Sequence, residues 1–173
     1  MVLLVAATLI YCAEREADPM NERKKCMFDT VIFNRVVEHK VPVELLAECV
    51  DVYATHVQRY EINKTPCPEK KAELNQVFVD LVLEERPTES AVWDEVEWDS
   101  AKWSGDDDLY EQIETALDKR KPKKNNIQDA LIAETAIKNN LTLVTDDGNL
   151  REEASKLGAE CMSWEELRQL CRR

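Results

Sequence analysis

Glycine is scarce in this 173-residue chain, occurring only as Gly105, Gly148 and Gly158. That scarcity excludes a glycine-rich phosphate loop and argues against an all-β chain full of tight turns. Histidine is scarcer still: His39 and His56 are the only two, and neither lies near a cysteine cluster. The six cysteines (Cys12, Cys26, Cys49, Cys67, Cys161 and Cys171) form no C-x-x-C pair, so a zinc site is not expected. A chain of this length with an ordinary core has no need of disulfides, and reduced thiols in the cytoplasm are the expectation. A membrane-spanning run is also missing. The N-terminal MVLLVAATLIYCA is apolar for about thirteen residues, short of the roughly twenty that a spanning helix requires. It lacks the basic start of a signal peptide, and acids follow it.

Apolar residues make up 44% of the chain and charged residues 34%, the balance of a globular domain with one sizeable core. The net charge of −12 is unevenly spread. Between Glu84 and Asp118 there are thirteen acids and two bases, Arg86 and Lys102, and the remainder is close to neutral. KRKPKK follows at residues 119–124, with five bases in six positions. Acidity confined to one segment does not exclude a nucleic-acid ligand, which a uniformly acidic protein would repel.

Short strand signals alternate with helical ones. Lys25 to Phe28 reads as a buried strand and Thr30 to Lys40 as a helix; Pro42 opens a second helix through VELLAECV. YATHV, residues 53–57, reads as a second strand. Pro68 opens a helix through PEKKAELNQVFVDLVLEE, which Pro87 stops. TESAVWDEVEW reads as a short strand with an irregular acidic insertion, and LYEQIETALDKR as a helix. A further helix is expected from about Ile127 to Asn139, then a buried strand LTLVT at 141–145 and a turn at Gly148. NLREEASKLG is helical to Gly158, AECMSW is a last strand, and Ser163 with Glu166 has capping-box spacing. The alternation implies βαβ units and a mainly parallel sheet. Residues 1–24 then form an N-terminal extension before a domain at 25–173, and Met20 is the more natural beginning.

Ligands of open parallel sheets bind beyond the carboxyl ends of the strands. Asp29 follows the first strand directly, and Asp146 and Asp147 follow LTLVT. Asp129 stands in the first turn of the preceding helix, on the face of Ala133 and Ala136. Carboxylates gathered in one cleft repel one another, and a hard divalent cation relieves the repulsion. All-oxygen ligands point to Mg²⁺ or Mn²⁺ and to phosphodiester hydrolysis. Each acid also has a plain structural reading: Asp129 as a dipole-favoured first-turn residue, Asp-Asp-Gly as a turn, and Asp29 as an N-cap.

FDTVIFNRVV and NIQDALIAETAIKNNLTLVTDDGNL, with the spacing between them, resemble the PIN domain, particularly the VapC-like ribonucleases of toxin–antitoxin modules. The resemblance covers about residues 25 to 170. It implies a three-layer α/β/α fold with a short, mainly parallel central sheet. It further implies a metal-dependent endoribonuclease with four acids: Asp29, Glu61, Asp129 and Asp147, with Asp146 the adjacent alternative to the last. Only the resemblance selects Glu61. Asn34 and Thr145 match polar positions near the family's site. Lys121, Lys123 and Lys124 could contact substrate phosphates or simply balance the preceding acids. An RNA substrate, an antitoxin protein, a homodimer, a cytoplasmic location and no membrane association belong to the same expectation.

The chain departs from the short toxins in its N-terminal extension and in the acidic stretch from Trp93 to Asp108, where Trp98 and Trp103 could stack on bases or pack in an interface. A PIN fold used as a non-catalytic binding module is the alternative. An aspartyl-nucleophile phosphatase would need a second Asp two residues after the first, where the chain has Val31.

Overall fold

The computed structural model describes residues 23–88, 90, 108–123 and 125–172. It forms a five-stranded, wholly parallel sheet: β1 (Lys24–Phe28), β2 (Val50–Ala54), β3 (Val82–Glu85), β4 (Thr142–Val144) and β5 (Cys161–Met162). The strand order is β3-β2-β1-β4-β5. The chain builds outward from β1 in one direction and then returns to build in the other. The switch point of the topology therefore falls between β1 and β4, where a ligand crevice is expected.

Eight described helices cover the sheet: α1 (Thr30–Glu38), α2 (Val43–Cys49), α3 (His56–Asn63), α4 (Pro68–Leu81), α5 (Leu109–Arg120), α6 (Asn126–Lys138), α7 (Gly148–Lys156) and α8 (Trp164–Leu170). Alternate residues of each strand point to opposite faces, and the sheet accordingly feeds two cores. Phe28, Val52 and Val144 join Phe33, Phe78 and Trp164 on one side, under α1, α2, α4 and α8. Met27, Tyr53 and Leu143 join Ile113, Leu131 and Leu150 on the other, under α5, α6 and α7. This is the three-layer α/β/α architecture. No helix among the described residues is long and apolar enough to cross a membrane.

Helix α6 is buried on almost every side. Ala130, Ala133 and Ala136 have no exposed surface. Such small side chains let the helix backbone lie close to the sheet, which keeps the first turn, and Asp129 with it, near the strand ends.

Four elements differ from the sequence reading. Strand β1 takes in Lys24, one residue before the expected start of the domain. The second strand lies earlier than YATHV and ends at Ala54, because Thr55 caps α3. Thr55 and Gln58 form a reciprocal capping box, which commits His56 and Val57 to the helix. The helix from Pro68 stops at Leu81, and Val82–Glu85 becomes the edge strand β3. An exposed VLEE has no apolar stripe to hold it as helix, and pairing with β2 satisfies its backbone. Gly148 is the first residue of α7 rather than a turn, with Asp147 as the N-cap. The strand and insertion expected around TESAVWDEVEW, the tryptophans at 93, 98 and 103, and Lys124 lie outside the described residues.

Candidate functional site

The register of the sheet sets the first contact of the site. Phe28 pairs with Val144, so the next residues, Asp29 and Thr145, emerge side by side. The amide of Asp29 donates to the Val144 carbonyl at 3.0 Å. The Thr145 hydroxyl donates to Asp29 Oδ2 at 2.6 Å and accepts from the Asp147 amide at 3.1 Å. Both residues are buried. One threonine thus fixes the acid after β1 and the turn after β4.

Glu61 arrives by a different route. Gln58 is buried in the first turn of α3, and its Nε2 donates to the Phe28 carbonyl at 2.8 Å. That bond ties the start of α3 to the end of β1. Glu61, three residues on, shares the helix face of Gln58 and is carried to the same edge, where its carboxylate accepts a hydrogen bond from the Thr30 hydroxyl. Neither Thr30 nor Gln58 stood out in the sequence, although Thr-x-x-Gln is a legible capping signal.

The two acids of Asp-Asp-Gly have separate tasks. Asp146 accepts from Arg35 Nε at 2.9 Å and from the Trp164 amide at 3.1 Å, which fastens α1 and the start of α8 to the end of β4. Asp147 caps α7: its Oδ1 accepts from the amides of Asn149 (2.9 Å) and Leu150 (3.2 Å). Its Oδ2 accepts from Lys123 Nζ at 2.8 Å.

Asp29, Glu61, Asp129 and Asp147 line one cleft of about 860 Å³, together with Thr30, Asn34, Arg35 and Lys123. Asn34 is held by its amide group donating to the Thr30 carbonyl at 3.1 Å. Lys121 is exposed at the C-cap of α5, outside the residues that line the cleft. Asp146 also reaches the wall of the cleft, but the acids whose charges act on Asp129 are Asp29, Glu61 and Asp147, with the Lys123 charge acting the other way.

The electrostatics of the cleft are unfavourable for carboxylates. Burial raises the Asp129 carboxyl, and the three neighbouring acids raise it further, to about 8. Burial also raises Asp29, against hydrogen bonds from Thr145 and from the amides of Thr30 and Val31, with the Asp147 charge adding to the rise. For Asp147 burial acts upward too, but Lys123 and the two α7 amides outweigh it and hold the carboxyl below its ordinary value.

The donor chemistry fits a hard divalent cation: four carboxylates, no thiol and no imidazole, with the repulsion left unbalanced at Asp129. As the side chains stand, no three acids among the described residues are gathered closely enough to hold an ion. Three of the four are already engaged by internal donors, Asp29 by Thr145, Glu61 by Thr30 and Asp147 by Lys123.

No family model matches the chain, and no curated protein matches it. Among solved structures it is similar to the crystal structure of VapBC2 from Rickettsia felis bound to a DNA fragment from their promoter, at 19% identity over 80% of this chain and 97% of that one, with a TM-score of 0.44.

Proposed function

We propose that this protein is a metal-dependent ribonuclease, with Asp29, Glu61, Asp129 and Asp147 as the ligands of Mg²⁺ or Mn²⁺. The observation that carries the reading is the convergence on Asp129. Carboxylates from four separate segments, after β1, on α3, on α6 and after β4, act on one another in a single cleft at the switch point of a parallel sheet. A purely structural use of acids does not gather like charges where burial strengthens their repulsion.

A divalent ion bound there would polarise a phosphoryl oxygen, lower the pKa of a bound water and neutralise developing charge. The chain's own residues set the geometry. Thr145 aims the Asp29 carboxylate, the α7 amides hold one oxygen of Asp147, and Thr30 orients Glu61. Lys123 supplies positive charge at the mouth, where a phosphate backbone would enter. The choice of RNA, and the role as the toxin of a toxin–antitoxin pair with an antitoxin partner and a homodimer, follow from the sequence resemblance and belong to the same proposal.

Cleavage of single-stranded RNA in Mg²⁺ or Mn²⁺ by the wild type and by Asp29→Asn tests the reading. Loss of cleavage in the variant is expected; equal cleavage by both would sink it. Calorimetry that detects no divalent binding would favour the non-catalytic module, in which the cleft serves only for docking.

A further inference from the structure

Lys123 stands where the acid cluster calls for a cation. It lies on the loop between α5 and α6, and its ammonium donates to Asp147 Oδ2 at 2.8 Å. The other oxygen of Asp147 is taken by the amides of Asn149 and Leu150. Oδ2 is therefore the oxygen of that carboxylate open to a cation from outside, and Lys123 covers it. The same ammonium feels the charges of Asp129 and Asp29. Arg35, the other base that lines the cleft, is engaged with Asp146.

Lysine suits a displaceable role. Its ammonium is a compact point charge on a flexible stem, and a partly exposed pair of this kind is worth little. The pair is about one-third exposed, 35% at Lys123 and 28% at Asp147, so the side chain can leave towards solvent without unfolding anything.

We propose that Lys123 is a resident stand-in for the divalent ion: it covers Asp147 while the ion is absent, is displaced as the ion enters, and is thereby freed to hold a phosphate of the nucleic acid. This rests on the metal-dependent reading above. Ion entry and substrate grip are coupled through one side chain, and by linkage a polyanion that draws Lys123 away raises the affinity for the ion by the same factor.

The test is calorimetric titration of Mn²⁺ into the metal-stripped wild type, Lys123→Gln and Lys121→Gln. Lys121 is exposed on the same loop, so its variant matches the change in net charge. Lys123→Gln is expected to bind Mn²⁺ roughly three- to tenfold more tightly than the wild type, with Lys121→Gln close to the wild type. A labelled single-stranded DNA, used as a non-substrate polyanion, should gain affinity from Mn²⁺ in the wild type and less in Lys123→Gln. Equal or weaker Mn²⁺ binding by Lys123→Gln would overturn the proposal, as would the same gain in Lys121→Gln. Uptake of Mn²⁺ with unchanged affinities overturns the role of Lys123 alone, whereas no uptake by any of the three proteins removes the metal site and this proposal together.

Discussion

Carboxylates crowd in two places in this molecule, with opposite surroundings. Between α5 and α7, Glu152 and Glu153 meet Arg120 and Lys156, with Arg120 Nη1 donating to Glu152 at 2.8 Å and Lys156 within 3.0 Å of both acids. There Arg120 and Lys156 bring the Glu152 carboxyl down to about 2. At the strand ends, Asp129 is surrounded by acids and rises to about 8. In the first place the acids meet bases as they are made and fasten two helices. In the second the fold gathers more acids than bases, with Lys123 the base nearest to them. The proximity of carboxylates is thus uninformative by itself; the sign of their neighbours separates a brace from a site.

The comparison breaks most sharply in catalysis. Asp129→Asn or Asp147→Asn is expected to lower RNA cleavage by on the order of a thousandfold or more in single-turnover assays. Asp146→Asn should cost activity far less and act mainly on stability, by loosening the contacts to Arg35 and Trp164. If the two adjacent variants were equally inactive, the division of tasks within Asp-Asp-Gly would fail.

The next effect concerns pH. Asp129 has a folded-state pKa above its unfolded value, so its burden is absent at low pH and grows as pH rises from about 4 towards about 8. The metal-free protein should therefore melt at a lower temperature near pH 8 than its Asp129→Asn variant does. That variant is expected to gain on the order of 2 kcal/mol there, and Mn²⁺ should restore the wild type. Glu152 has the opposite sign: its contribution is present above its ordinary pKa and lost as pH falls towards about 2. Thermal melts in chelator across this window distinguish the two regions.

Packing comes third. Ala133→Leu would push α6 off the sheet at a position with no exposed surface, and a loss of about 1–3 kcal/mol is expected by chemical denaturation. The displaced first turn would carry Asp129 with it, so metal affinity should fall alongside stability. Smallest of all, Glu152→Gln removes one acid from an exposed lattice that keeps Glu153, Arg120 and Lys156; its melting temperature at neutral pH should stay close to that of the wild type.

Much of the fold was legible because hydrophobic periodicity is local. The burial of LTLVT, the helix from Asn126 and the Ser163 capping box need only neighbouring residues, and the structure places each within a residue or two of where the sequence pattern puts it. The misplaced elements are those decided by competition. Residues 82–85 carry no helical stripe, and only the neighbouring strand β2 makes them a strand. Thr55 looks like a strand residue until its hydroxyl and Gln58 close a cap.

The sequence by itself determined the alternation of strands and helices, and with it the placement of Asp29, Asp129 and the Asp-Asp pair at strand or helix ends, because these features depend on residues a few positions apart. It did not determine how Asp146 and Asp147 divide their partners, how Glu61 reaches the cleft, or which base sits on the acids. Those were decided by contacts across the fold: Arg35 and the Trp164 amide claiming Asp146, Gln58 anchoring α3 to the end of β1, and Lys123 reaching Asp147 from another loop. The physical reason is that a side chain's partner is set by what the tertiary structure places within hydrogen-bond reach, about 3 Å, and no local pattern specifies that distance.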